Sequence, residues 1–351
     1  MEDTPRLRMV LATPLPEELC LHFEELAPGV DLVRDHGLLP PMRHPGDHDG
    51  DPAWSRTPED QVRFDALVDS ADALYGIPDV SPSALARTVG ANPRLQWVQT
   101  MAAGGAAQVT AANLSAEDLK RVRFTTSAGV HAGTLAEFAI FGLLAGAKNL
   151  PRLMAQQRRH DWSPRWAMAQ VHEQTVLIVG LGSIGQQTVQ LLEALGARVI
   201  GVNRRDIEVP GVERVFRPAD IVEAARGVDA IVVTLPGAAA TTGLVDAAVF
   251  SAARPGATVV SVGRGTVINE PDLVAALSEG VVGFAALDVT AVEPLRSDSP
   301  LWDMPNVLIS PHTAALSPEE DRRIAELAAS NACRLVDGKS LLNVVAPADV
   351  G

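Results

Sequence analysis

The run Val176-Leu177-Ile178-Val179-Gly180-Leu181-Gly182-Ser183-Ile184-Gly185 constrains this chain more than any other stretch. A short apolar segment leads directly into G-x-G-x-x-G, and a helical pattern follows over Gln186–Leu195. A second apolar run, Val199–Val202, comes next. Strand, glycine loop, helix and strand in that order predict a βαβ unit whose strands pair in parallel through a right-handed crossover. Each glycine has its own task. Gly180 permits the tight turn, Gly182 lets backbone approach a pyrophosphate, and Gly185 lets the helix lie close to the strand. The first helical turn, with Ser183 and Ile184, offers unpaired N–H groups and a partial positive charge to phosphates. A bare glycine pattern is a weak signal, but in this context it predicts a dinucleotide-binding site.

The end of the second strand, Val202-Asn203-Arg204-Arg205, bears on which dinucleotide binds. An acidic residue there would hydrogen-bond the adenosine ribose 2′-hydroxyl and select NAD(H). Asn203 carries no charge to repel a 2′-phosphate, and Arg204 and Arg205 offer it charge-assisted hydrogen bonds. NADP(H) is therefore favoured, with NAD(H) as the alternative. The plainer reading is two surface arginines at a strand end.

A chain of 351 residues is too long for one ordinary core, so two domains are expected. After the glycine loop, apolar strand candidates recur at Ala230–Leu235, Thr258–Val262, Gly283–Val289 and Val307–Ile309, with helical segments between most of them. This is the pattern of a doubly wound parallel sheet. Before the loop the alternation is weaker. Strands are expected at Leu7–Ala12, Ala73–Tyr75, Leu95–Gln99 and Val122–Thr125, a helix at Glu17–Leu26, and further helices starting near Pro82 and Gly105. The Pro-, Gly-, His- and Asp-rich stretch His36–Pro58 reads as an exposed loop. Thr134–Lys148 is apolar nearly all round, which predicts a helix covered on every side. Gln156–Trp162 reads as a surface connection. Ser317–Val336 reads as a helix with Ser317 as N-cap, Glu320 three residues on and Gly338 just past the end.

Composition excludes several classes. A net charge of −14 repels nucleic acid and anionic membranes. The longest apolar stretch, Leu135–Ala147, is too short to span a bilayer. Two cysteines, Cys20 and Cys333, give neither a disulfide framework nor metal-ligand spacing, and a reduced cytoplasm is the expected setting. Met1–Pro5 lacks the pattern of a secretory signal. The cluster His44, Asp47, His48, Asp49 and Asp51 has no recognised ligand spacing and reads as a solvated loop, so no metal is expected.

Three ionisable residues follow later strand candidates. Arg264 lies in Val262-Gly263-Arg264-Gly265, Glu293 in Leu287-Asp288-Val289 through Glu293-Pro294, and His312 in Ser310-Pro311-His312-Thr313. Ligands of open α/β sheets bind outside the carboxyl ends of strands, where all three stand. Each alone has a bland reading as a strand-end salt bridge, a loop acid or a satisfied histidine. Together, downstream of a dinucleotide loop, they match what hydride transfer to a 2-oxo acid requires.

On these residues the chain resembles the D-isomer-specific 2-hydroxyacid dehydrogenases, in the branch of glyoxylate and hydroxypyruvate reductases. The likeness runs through Gly180–Gly185, Leu235-Pro236 with Thr242-Gly243, Val262–Gly265, Leu287–Pro294, Ser299–Trp302 and Pro311–Ala314, and thinly through Trp97–Gln99 and Ala103–Gly105. It implies a Rossmann-type doubly wound sheet, residues 131–312, inserted into a smaller flavodoxin-like α/β substrate domain, residues 1–130 plus 313–351. It implies that His312 is the acid/base, Glu293 its partner favouring the imidazolium, and Arg264 the fork that holds the substrate carboxylate and carbonyl. Backbone donors near Gly76, Ala103 and Gly104 would take the other side of the carboxylate. The cofactor would touch Gly180, Gly182, Ser183, Ile184, Gly185, Asn203–Arg205, Leu235, Pro236, Val262, Asp288 at the nicotinamide carboxamide, His312 and Ala314. Thr134–Lys148 would be an interdomain helix close to a homodimer contact. The partner would be a small 2-oxo or 2-hydroxy acid. One departure is Gly104-Gly105-Ala106, where the family often has an acid. A dinucleotide-sensing, corepressor-like binding protein of the same fold is the rival reading, and a Rossmann dehydrogenase of amino or amide substrates is a second.

Overall fold

The computed structural model describes residues 6–345. The chain divides into two compact units, one comprising residues up to His131 together with those from Leu316 onward, the other Ala132–Ala315.

The first unit holds strands β1 (Leu7–Leu11), β2 (Val30–Val33), β3 (Ala73–Tyr75), β4 (Trp97–Gln99) and β5 (Arg123–Thr125). They form one all-parallel sheet in the order β2-β1-β3-β4-β5, the flavodoxin-like order. Parallel strands covered on both faces read as continuous apolar runs. Met9, Val10, Leu74, Tyr75, Trp97 and Val98 are wholly buried accordingly. The helix Glu320–Val336 packs on the helix Glu17–Leu26, the far end of the chain closing on its beginning. Its buried face, Ile324, Ala325, Ala328, Ala329 and Ala332, has the three-to-four spacing of one helical stripe. Asn331 ties it to the sheet by donating to Gln99 Oε1 at 3.3 Å.

Three expectations for this unit need correction. β2 is absent from them, because four residues interrupted by exposed Asp31 carry little strand signal. The 36–58 stretch is not a solvated loop. Asp47 is buried and gripped by the Arg43 guanidinium through two 2.7 Å bonds, and Gly46 N–H donates to Asp321 Oδ2 at 3.0 Å. Ser317 is not the N-cap; the helix starts at Glu320, whose N–H bonds the Ser317 carbonyl at 3.0 Å.

The second unit holds β6 (Thr175–Val179), β7 (Arg198–Val202), β8 (Arg214–Phe216), β9 (Ala230–Val233), β10 (Ala257–Ser261), β11 (Val282–Leu287) and β12 (Val307–Ile309). All pair in parallel, in the order β12-β11-β10-β9-β6-β7-β8. The sheet winds one way from β6 through β7 and the other way through β9. The carboxyl ends of β6 and β9 therefore flank the topological switch point, where open α/β sheets bind ligands. β8 escapes sequence reading because three residues at a sheet edge show no periodicity.

The helix Ala132–Ala147 belongs to this unit and lies on β10 and β11. Gly142 and Gly146, one turn apart, allow the approach. A methyl group on Gly146 would stand 2.1 Å from Thr258 Oγ1, and one on Gly142 2.8 Å from Val260 Cγ2. The helix is not covered on all sides within this chain, since Phe141 and Leu144 remain exposed. The expected surface connection at 156–162 begins inside another helix, Leu150–Arg158, whose N-cap Asn149 accepts from Arg152 N–H. Among the described residues no helix is long and apolar enough to cross a membrane.

Candidate active site

The glycine loop joins β6 to the helix Ser183–Ala194. Gly180 sits at φ 110°, a conformation L side chains rarely adopt. Its N–H donates to the Val202 carbonyl at 2.9 Å, and its carbonyl accepts from Thr234 Oγ1 at 2.7 Å, so both neighbours of β6 fix the turn. A methyl group on Gly185 would lie 2.0 Å from the Gly180 carbonyl oxygen, whereas one on Gly182 would meet nothing within 4 Å. The helix has no side-chain cap, and its first-turn N–H groups, Ser183 and Ile184, have no protein acceptor among the described residues. Tight packing at Gly185, open space at Gly182 and free helix-terminal donors fit a pyrophosphate.

At the end of β7, Asn203 Nδ2 donates to the Arg205 carbonyl at 2.9 Å. Arg217, just past β8, donates to the Arg204 carbonyl. Arg217 went unnoticed in the sequence because β8 did.

The other strand-end loops interlock. A methyl group on Gly263 would be 2.3 Å from the Leu235 carbonyl oxygen, which brings Val262-Gly263 against Leu235-Pro236. One on Gly265 would be 2.0 Å from the Thr290 carbonyl oxygen, pressing the Arg264 loop onto the Thr290–Glu293 loop. Arg264 itself is exposed, and its guanidinium donates to the Gly263 carbonyl at 3.1 Å. Glu293 is set by Thr290 N–H, which donates to Oε1 at 3.1 Å, and the loop is braced by Ala291 N–H on Glu270 Oε2 at 2.9 Å. Glu293 Oε2 then lies 2.7 Å from His312 Nδ1. With Nδ1 held by a carboxylate, Nε2 is the ring nitrogen left for exchange with a ligand. The two side chains are 42% and 38% exposed, so the pair is open to one.

Asp288 is buried beneath His312. Its Oδ1 accepts from Ser310 Oγ at 2.7 Å and from the N–H groups of Thr313 and Ala314, each at 3.0 Å. Its own carbonyl takes His312 N–H at 2.9 Å. His312 sits at φ 54°, an uncommon conformation for a residue with a side chain, and these four bonds hold it there. Ala314 N–H is thus spent inside the protein. Asp288 Oδ2 is buried without a partner among the described residues, as a group awaiting an amide donor would be.

Gly76, Ala103 and Gly104 lie in the first unit, past the carboxyl ends of β3 and β4. Gly76 N–H is not a free donor, because it bonds the Gln99 carbonyl at 2.9 Å. Ala103 and Gly104 are exposed, and their N–H groups have no protein acceptor among the described residues. Elsewhere in this unit Glu17, Cys20 and His36 approach one another closely enough to share an ion. Arg34 occupies both Glu17 oxygens, at 3.0 and 2.7 Å. Burial also pushes the Cys20 thiol up to about 12, away from the thiolate a metal needs. The group is an ion-pair network.

The switch-point glycine loop and the strand-end residues together define a dinucleotide-binding α/β protein with an exposed histidine–glutamate ion pair at the carboxyl ends of its strands. The profile of the D-isomer specific 2-hydroxyacid dehydrogenase NAD binding domain matches residues 140–314. The chain belongs to that family. It is 31% identical over 273 residues to D-3-phosphoglycerate dehydrogenase of Mycobacterium tuberculosis, covering 77% of this chain and 50% of that one. It is 29% identical over 287 residues to glyoxylate/hydroxypyruvate reductase B of Citrobacter koseri, covering 80% and 86%. The crystal structure of a D-isomer specific 2-hydroxyacid dehydrogenase from Xanthobacter autotrophicus Py2, in complex with NADPH and MES, superposes with a TM-score of 0.76 at 26% identity, covering 99% and 100%. The chain spans about half the length of the phosphoglycerate dehydrogenases it matches.

Proposed function

We propose that this protein is an NADP(H)-dependent oxidoreductase that interconverts a small 2-oxo acid and its 2-hydroxy acid. The observation that carries this reading is the 2.7 Å contact between His312 and Glu293 on strand-end loops of the sheet that also bears the glycine loop. The bound nicotinamide supplies or accepts the hydride. Gly180, Gly182, Ser183, Ile184 and Gly185 would hold the pyrophosphate of the dinucleotide, and Asp288 would accept from the carboxamide. Arg264 holds the substrate carboxylate and keeps the carbonyl carbon in place. His312 Nε2 gives a proton to the carbonyl oxygen in reduction and removes it in oxidation, while Glu293 fixes the ring and offsets its charge. The NADPH in the Xanthobacter relative, together with Asn203, Arg204 and Arg205 here, supports NADP(H). The Citrobacter relative supports glyoxylate or hydroxypyruvate as first substrates to try.

The same reading includes a homodimer. Phe141, Leu144, Met154, Met168 and fully exposed Trp162 leave much apolar surface on the second unit, which a second copy of the chain would cover. The two free cysteines accord with a reducing, cytoplasmic setting.

Steady-state NADPH oxidation against glyoxylate, hydroxypyruvate and bulkier 2-oxo acids tests the reaction, with NADH run in parallel. Turnover on at least one acid, faster with NADPH, is expected. Intact NADPH binding without turnover on any of them would favour the dinucleotide-sensing alternative instead.

A further inference from the structure

The turn Asn203–Arg205 is shaped by two side chains that spend donors on its carbonyls. Asn203 Nδ2 closes it from within at the Arg205 carbonyl, 2.9 Å away. A carboxylate at 203 has no hydrogen to make that bond. Arg217 closes it from outside through the Arg204 carbonyl. The sheet brings Arg217 there, because Val202 pairs with Phe216 and Asn203 N–H extends the ladder to the Phe216 carbonyl at 3.0 Å.

Charge makes the arrangement informative. The chain carries 43 acidic residues against 29 lysines and arginines, so an arginine has acids in excess to pair with. Arg198 and Arg214, at the opposite ends of the same two strands, each have a carboxylate partner. Arg204, Arg205 and Arg217 have none among the described residues, although Asp206, Glu208 and Asp220 are close in sequence. Arg204 and Arg205 on one turn, with Arg217 bonded to the backbone of that turn, concentrate positive charge that a bound anion would offset.

We propose that Arg217, from the edge strand β8, is a specificity-determining residue that binds the ribose 2′-phosphate together with Arg204 and Arg205 and sets the shape of their turn before the ligand arrives. The inference rests on the NADP(H) reading and deepens it. One N–H of the Arg217 fork holds the Arg204 carbonyl, and the remaining N–H groups of a planar five-donor group stay available for phosphate oxygens. Preference for the phosphorylated dinucleotide thus depends on a residue outside the strand end that ordinarily marks it.

Calorimetric titration of the full chain with NADPH, NADH, 2′,5′-ADP and 5′-AMP tests this without relying on turnover. Arg217→Ala should weaken NADPH and 2′,5′-ADP by about tenfold or more while NADH and 5′-AMP stay within about twofold, the pattern of one lost charge-assisted site. Arg217→Lys, which keeps the charge and loses the fork, should recover part of the loss. Arg204→Ala should act in the same direction. Equal weakening of phosphorylated and unphosphorylated ligands by Arg217→Ala would make the residue merely structural, and no change in either would remove it from the site; each result overturns the inference. Wild-type protein that binds NADH as tightly as NADPH would overturn the NADP(H) reading itself, and this inference with it.

Discussion

His312→Asn is expected to lower kcat by about 10²–10⁴-fold, the usual worth of a positioned acid–base group, with NADPH affinity nearly unchanged. Asparagine keeps a polar side chain beside Glu293 but cannot carry a proton through the reaction. The left-handed backbone at 312 also tolerates asparagine well, so the turn that Asp288 holds should survive. Pre-steady-state NADPH oxidation together with a binding titration checks the split. If kcat and NADPH affinity fall together, His312 shapes the loop rather than serving the chemistry. Unchanged kcat would place the proton donor elsewhere.

Gly185→Ala should abolish dinucleotide binding and destabilise the second unit. At an ordinary helical position alanine is preferred over glycine by up to about 1 kcal/mol. Here its methyl group would lie 2.0 Å from the Gly180 carbonyl oxygen and 3.3 Å from Ile178 Cγ2, so the helix must lift from β6. Overpacking of this kind costs about 1–3 kcal/mol, and it displaces the helix-terminal N–H groups proposed to bind the pyrophosphate. Gly90, also helical, meets nothing within 4 Å, so Gly90→Ala is the control and should hold or raise the melting temperature. Differential scanning calorimetry with and without NADPH reads both effects. A Gly185→Ala protein that keeps its melting temperature and its NADPH-induced stabilisation would refute the packing role assigned to this glycine.

The second unit was readable wherever local pattern and tertiary position agree. Val176–Gly185 shows its strand, turn and helix in contiguous residues, and Arg264, Glu293 and His312 each follow an apolar strand. What escaped depends on partners far away in sequence. The ring of His312 is set by Glu293, but its backbone is set by Asp288, whose Oδ1 is consumed by three donors that no spacing rule anticipates. Arg217 stayed hidden because a three-residue edge strand positions it. The 36–58 stretch looks like solvated loop by composition, yet Gly46 is bonded to Asp321 and Asp47 is folded inward over Arg43. The Gly76 donor failed for a similar reason, since only the β3–β4 pairing shows that its N–H is already taken.

The interrupted course of the first unit has a consequence for how the chain reaches its native state. Helix Glu17–Leu26, which precedes the second unit in the chain, finds its packing partner in Glu320–Val336, which follows it. The sheet edge at Thr125 likewise waits for Val344. Everything from Ala132 to Ala315 is a loop that must close before these contacts form, at an entropic cost that grows slowly with the length of flexible chain. A contiguous second unit that folds first turns that flexible loop into a compact insert. The short tether this requires is present, because His131 Nε2 and Glu320 Oε1, on either side of the insertion, are 2.8 Å apart. Loop closure therefore favours the contiguous nucleotide-binding unit as the earlier folding event and completion of the other unit as the later one.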